Sequence, residues 1–498
     1  MKKNQIATIV MLVAGATTGI CADVTVTGGT SRTSITPTSP SDNLILDSTT
    51  KGEYRVDQPT TFKSVYAKSG TGLGNIDIMG QGGFTIDINS NSGNVDALTA
   101  NKLSMFYHNM TISNTAVSST AVANINLNSL EIKTASQDYR QSQTLTFDSV
   151  IANVNATTTT IGNDNKPNPE RTTEPHEASI NIDNNANVTW NGNISVIGYG
   201  MINLTGYGNF TQNGDVSLGS KTANNAGGTI NIYDGSTYTI KSGAIKMGKD
   251  SNLNIFGTLA TSSALTFDGK GVVSSVGTVK QTAGDLKILD SSVYLYESSR
   301  WEIGEKLTVG SSGGVASLST TDTSKILLTT GGRVLVLDSN STLNLGSEDA
   351  IVGYNTSTQT ESYIAVVIAG SKSHAMNISA DQHFMYINLL AGSNLDITVS
   401  NGAHLYLTDS YTAFQFGSDD TNMRIFDFQE GQIYVGNGDS ARERIEQHVT
   451  LYDADKNFLG NATVVNGWIS LATVPEPAEW AMILGVLALG SAIYRRRK

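Results

Sequence analysis

The chain has 498 residues, of which 39% are hydrophobic and only 15% charged, with a formal net charge of −12. That is enough apolar material for a sizeable core, in several domains or in one long repetitive one. The charged fraction falls well below the roughly 25% of an ordinary globular protein, and the acidic balance excludes the electrostatic footprint of a nucleic-acid-binding protein.

The first 22 residues read as a signal peptide: Lys2 and Lys3 open it, an apolar stretch from Ile6 to Ala16 follows, and small residues lead to a cleavage position after Ala22. The stretch is short for a membrane span. The single cysteine, Cys21, lies inside this leader, with Ile20 where a lipidation signal would want a small residue. Disulfides and thiol catalysis are therefore not expected of the exported body, which must hold by burial and backbone hydrogen bonding.

From Asp23 to about Asp409 the sequence is one short strand after another. An eleven-residue frame recurs in it: apolar, any, apolar, five mostly polar or glycine residues, apolar, any, apolar. Ile76 to Ile86 and Ile180 to Trp190 fit it, and further frames begin at Ile194, Ile230, Val293, Leu335, Ile387 and Ile397. Alternation puts one face of each strand on a core, and the polar centre is a tight bend with Gly or Asn available for positive φ. Each unit is too small to bury its own face, so many must stack.

Two architectures suit this frame. In a right-handed parallel β-solenoid the bend is a corner between faces. In an array of hairpin or β-sandwich modules it reverses the chain. The solenoid is the expected fold, because no proline occurs between Pro175 and Pro475, as strands flanked on both sides require, and because the small polar residues can stack as ladders. Residues 153–176, with Pro167, Pro169 and Pro175, read as a loop or linker.

Residues 410–473 change character, with Phe414, Phe416, Phe426 and Phe428, and are expected to be a small β-rich cap closing the last coil. They include a helix predicted at Ala441 to His448 with Ser440 as N-cap. They also hold a hairpin around the polar turn Asp453 to Asn457.

No residue set calls for catalysis. Gly310-Ser311-Ser312-Gly313-Gly314 matches a nucleophile-elbow pattern, but an elbow needs a helix after the serine, and Val315 to Leu318 reads as a strand. Asp453, Asp455 and Asn457 open like a calcium loop, yet Phe458 and Val464 stand where glycine and a bidentate glutamate are required. Gly82 and Gly83 form an ordinary bend, and His374, His383 and His404 show no zinc-motif spacing. No metal or cofactor is expected.

The last 25 residues carry the most specific signal. Val474-Pro475-Glu476-Pro477 precedes an apolar run from Ala478 to Tyr494, then Arg495, Arg496, Arg497 and Lys498. The run is roughly 17 residues, near the lower limit for one transmembrane helix. Trp480 and Tyr494 sit at interfacial positions and the four cations at the cytoplasmic side. The prolines hold the preceding backbone extended and open to a processing enzyme. This three-part tail resembles the PEP-CTERM sorting signal of Gram-negative bacteria. The resemblance implies export by the Sec machinery, recognition of Pro475, Glu476 and Pro477 by an exosortase-type protease, and delivery to the cell surface or extracellular matrix. The body resembles autotransporter passengers in texture, though no C-terminal barrel sequence follows it. The function expected is that of an envelope structural or adhesive protein, with glycans as candidate ligands. The alternative is a carbohydrate-active β-helix enzyme, a polysaccharide lyase or hydrolase.

Overall fold

The computed structural model describes residues 23–472, apart from breaks at 29–32, 36–38, 41, 49–51, 70–71, 80–81, 107–108, 134–141, 163–176, 220–226, 330–333, 401, 410–412 and 419. Among the described residues, strands account for 61%, against one short helix, and most are joined in long parallel sheets. The chain divides into two compact units, residues 1–365 and 366–498.

In the first unit the eleven-residue frames settle the choice between corner and reversal. The frame Ile76 to Ile86 supplies two strands, Asn75–Met79 and Phe84–Asp87. The former pairs in parallel with Gly52–Arg55 and with the end of Asn94–Phe106. The latter pairs in parallel with Thr60–Phe62 and Met110–Ser113. The two strands of a frame are not partners of each other, so the polar bend is a corner between sheets, and the arrangement is solenoid-like. One ladder runs without interruption through Gln143–Asp148, Ala178–Asp183, Gly200–Leu204, Thr229–Ile232, Asn252–Ile255, Val272–Ser275, Ser292–Leu295, Ala316–Thr320 and Ser341–Leu345.

A second ladder contains four long strands, Asn94–Phe106, Val122–Ile132, Ile151–Gly162 and Asn187–Ile197. It then splits: Asn187–Ile197 pairs with two short strands, Asn209–Asn213 and Val216–Leu218. Farther along a third face appears, through Leu265–Phe267, Leu286–Ile288, Leu307–Val309 and Val334–Leu337. The loop expected at 153–176 is corrected for its first part, since Ile151–Gly162 is one strand. Its run of threonines supplies the β-branched side chains that a pleated surface favours. Residues 163–176 lie outside the described residues.

The core follows from the frame. Ile76, Ile78 and Ile86 are fully buried and Phe84 almost so, and each such side chain stabilises by roughly 1.5–3 kcal/mol relative to exposure. Inside the stack Phe147, Trp190, Phe210 and Tyr238 form a continuous aromatic column, with centroids 6.3, 6.1 and 5.0 Å apart. The Tyr238 hydroxyl donates to Gln212 Oε1 at 2.6 Å, and Trp301 Nε1 donates to Ser275 Oγ at 3.0 Å, so these buried polar groups are satisfied.

The second unit repeats the plan. Ser373–Ile378, Asn394–Val399, Asn422–Phe426 and Val449–Tyr452 form one parallel ladder. Gln382–Phe384, Leu405–Leu407 and Ile433–Tyr434 form a second, and Ile387–Leu389 with Phe414–Phe416 belong to a third. Antiparallel pairing takes over at the end, where Val449–Tyr452, Phe458–Val465 and Trp468–Leu471 make a meander. The helix runs Asp439–His448, and its N-cap is Gly438 rather than Ser440, with no side-chain capping bond. It packs on Phe414–Phe416, where the His448 ring stacks on Phe416 at 4.5 Å. The polar turn is a hairpin turn, in which Asn457 donates its backbone N–H and its Nδ2 to the Asp453 carboxylate at 2.7 and 2.8 Å.

Among the described residues no helix is long and apolar enough to cross a membrane. The apolar run 478–494 lies outside the described residues, as does the leader 1–22.

Candidate functional site: an asparagine-lined groove

The pairing of the last two long strands of the first unit is interrupted in mid-course. Between Ile151–Gly162 and Asn187–Ile197 the register shifts so that Asn155 faces Asn191 and Thr158 faces Asn193. Ala156 and Thr157 thus stand opposite Gly192 alone, which is a bulge, and a bulge bends its strand and re-aims the side chains beside it. Gly192 has φ of 129°, and a Cβ there would lie 1.8 Å from the Ala156 carbonyl oxygen. The same crowding repeats one coil on: Gly214 has φ of 147°, with its missing Cβ 2.3 Å from the Gly192 oxygen. This glycine column is where one long strand becomes two short ones.

The bend leaves a shallow groove of about 560 Å³ in the first unit, and five of its lining residues are asparagines, at positions 126, 128, 155, 191 and 193. Their carboxamides join into rungs across neighbouring strands. Asn155 Nδ2 donates to Asn126 Oδ1 at 2.9 Å, Asn191 Nδ2 to Asn155 Oδ1 at 2.8 Å, and Asn213 Nδ2 to Asn191 Oδ1 at 2.8 Å. A parallel line runs from Asn128 to Asn101 at 2.8 Å and from Asn101 to Asn75 at 2.7 Å. On the other ladder Asn254, Asn231, Asn203 and Asn181 are linked at 2.8, 2.8 and 3.0 Å.

A carboxamide has two donors and two acceptor lone pairs. A residue within a rung uses one of each on its neighbours, which leaves one donor and one acceptor to face outward at every strand, about 4.8 Å apart. Leu73, Ala100, Leu127 and Ala156 supply apolar ground between them. No lining residue is titratable near neutral pH, so this groove can hold a polar, uncharged ligand by many weak hydrogen bonds but has no general acid or base to offer it. At its rim Asn193 Oδ1 accepts the Asp215 backbone N–H at 2.9 Å. The Lys246 ammonium, bonded to Asp215, holds that carboxyl below the usual range, aided by the Ala244 N–H.

The residues singled out from sequence fall elsewhere. Val474, Pro475, Glu476, Pro477, Trp480, Tyr494, Arg495, Arg496, Arg497, Lys498 and Ala22 all lie outside the described residues. After Ser312 the chain enters the strand Ala316–Thr320, in register with Ser292–Leu295 and Ser341–Leu345. His374 is buried, with Nε2 3.4 Å from the Gly370 carbonyl. His383 lies beside Tyr406, and His404 bonds Asp381. Among the described residues no three metal-ligating side chains gather at one place. The asparagine rungs were visible in the sequence only as outward positions of alternating runs, such as Asn124, Asn126 and Asn128. Their stacking depends on coil lengths that vary: the rungs join residues 22 to 36 apart.

Comparison of the chain with protein-family models, with curated proteins and with solved structures returned no match.

Proposed function

We propose that this protein is an exported structural and adhesive component of a bacterial envelope or extracellular matrix. Its body is a right-handed parallel β-solenoid that presents rows of uncharged hydrogen-bonding groups to glycans. The right-handed sense is the one that parallel crossovers favour, and the helix and terminal meander serve as the cap of the last coil. The tail from Val474 to Lys498 directs processing by an exosortase-type protease at Pro475-Glu476-Pro477 and holds the chain in the membrane of a Gram-negative cell until then. The observation that carries the adhesive part is the set of asparagine rungs, because a surface of uncharged donors and acceptors at a fixed repeat matches polymers of hydroxyls better than it matches proteins or nucleic acids. The uncharged lining of the groove favours binding over turnover.

The test uses the purified exported protein and a panel of immobilised bacterial and host polysaccharides, with retention and newly formed reducing or unsaturated ends scored together. Retention without products is expected, with weakening of about ten-fold when Asn155 and Asn191 are both changed to Ala. New ends would instead favour the β-helix lyase or hydrolase. A chain released unprocessed into the medium whether or not residues 474–498 are present would overturn the sorting part.

A further inference from the structure

The second unit carries a row of rings on one face. His383, Tyr406 and Tyr434 are direct partners on three neighbouring parallel strands, and Trp468 faces Tyr434 on a fourth. Each sits between buried neighbours, Gln382 and Phe384, Leu405 and Leu407, Ile433 and Val435, or Gly467 and Ile469, so alternation turns the rings outward, where all four are half-buried. The His383 ring stacks on Tyr406 with centroids 4.6 Å apart and planes 10° apart. Tyr434 meets Trp468 edge to face at 5.2 Å, and Tyr406 meets Trp468 likewise at 6.0 Å.

Two devices fix this row. The strands Phe458–Val465 and Trp468–Leu471 are joined by Asn466 and Gly467, with φ of 50° and 84°, the two positive values that a tight primed turn requires. A Cβ on Gly467 would lie 2.6 Å from Tyr434 Cε2, so only glycine lets that ring lie beside the tryptophan. Next to the row, Asp381 Oδ1 accepts from the His404 backbone N–H at 2.8 Å and lies 3.0 Å from His404 Nδ1. That contact holds the His404 ring in place beside the row. The His404 ring is 5.7 Å from Tyr406 and 6.3 Å from Trp468, and the side chains of His404 and Asp381 are 37% and 39% exposed. The hydroxyls of Tyr406 and Tyr434 and the indole N–H of Trp468 make no hydrogen bond to a described residue.

We propose that His383, Tyr406, Tyr434 and Trp468, flanked by His404 and Asp381, form a platform for a neutral polysaccharide. This rests on the adhesive reading above and assigns it a second, aromatic contact. His383 lies 4.6 Å from Tyr406, and Tyr434 and Trp468 lie 6.4 and 6.0 Å beyond it, so the rings cover a patch no longer than about 11 Å, the scale of a short oligosaccharide. Its rings offer apolar faces with polar heads at their rims, and a pyranose presents the complement, C–H faces fringed with hydroxyls. The Asp381 carboxylate beside the rings accepts hydrogen bonds from sugar hydroxyls and repels a sugar carboxylate.

The experiment follows Trp468 fluorescence in the full-length chain carrying Trp480→Phe. Trp190 and Trp301 are fully buried, so acrylamide quenching reports on Trp468. The probe is cellohexaose, with a hexaguluronate as the anionic control. Cellohexaose is expected to lower the quenching constant at least three-fold while the uronate leaves it unchanged, and Tyr406→Ala is expected to abolish that protection. His383→Ala serves where Tyr406→Ala fails to fold, and unaltered thermal melting separates lost binding from lost structure. Quenching that cellohexaose leaves untouched, or protection that both variants keep, overturns the platform. Retention of the same protein on the polysaccharide panel would then leave the adhesive reading standing on the asparagine rungs, whereas failure of both assays removes both.

Discussion

At the scale of single residues, the polar atoms inside the stack differ in how well they are met. Tyr54 is fully buried, and its hydroxyl has no hydrogen-bond partner among the described residues. Burial, and after it the negative charge of Asp47, pushes that hydroxyl up from 10.0 to about 12. An unmet buried hydroxyl is destabilising by about 1–3 kcal/mol, so Tyr54→Phe is expected to raise stability at neutral pH by roughly 1 kcal/mol. The sign of the pH dependence is fixed by linkage. The fold holds the proton more tightly than the unfolded chain does, so its preference for neutral Tyr54 is intact below pH 10 and is lost as pH rises from 10 through about 12. Phenylalanine has nothing to ionise. The advantage of the variant in urea midpoint should therefore widen over that window, by roughly 2–3 kcal/mol at its upper end. A constant difference across it would show that the fold holds the Tyr54 proton no more tightly than the unfolded chain does.

At the scale of elements, the bend in the long strands depends on Gly192. Alanine there would have to hold φ of 129° with its Cβ 1.8 Å from a backbone oxygen, a conformation that stores strain of roughly 1–3 kcal/mol before any clash is counted. Gly192→Ala is expected to lower stability by about 3 kcal/mol or more in denaturant titration and to weaken retention on polysaccharide, because Asn155, Asn191 and Asn213 hang on that bend. Gly83→Ala is the control: a Cβ there meets nothing within 4 Å, so the change should stay within about 0.5 kcal/mol. The elements also show what could be read in advance. The alternation in frames such as Ile180 to Trp190 placed both strands and their buried faces, because a period of two is a local property. Partners were not legible, because a parallel ladder joins residues one coil apart and the coils vary in length. Residues 153–162 read as a loop because threonine and asparagine favour turns as readily as pleated surfaces. The helix was legible at Ala441 to His448, but its start was not: Ser440 is a good capping residue in type, and the backbone instead turns at Gly438. Asn466-Gly467 is a strong hairpin signal that bears directly on the aromatic row.

At the scale of the whole molecule, charge contributes little and neighbour-to-neighbour pairing contributes most. The ion pairs lie at the surface, as between Lys102 and Glu131 or Arg424 and Asp396, where such pairs add about 1 kcal/mol or less. Each coil of the first unit instead touches chiefly the coil before it and the coil after it. Stability in such a stack is close to a sum of coil terms and interface terms, so a local break need not propagate. The strand Thr237–Ser242 tests this, because it is paired on both edges, with Asn209–Asn213 and with Thr258–Thr261. Thr239→Pro removes one ladder donor and sets a ring against the neighbouring backbone, which an inner strand does not tolerate. Amide hydrogen exchange should then lose protection from about residue 209 to residue 261, while the strands Val122–Ile132 and Ser341–Leu345 keep theirs. Had the unit folded as one all-or-none body, the same substitution would expose both of those distant strands at equal rates. That uniform loss would refute the coil-by-coil account, whereas protection that falls off with distance from the break would establish it and would give the length over which one coil supports the next.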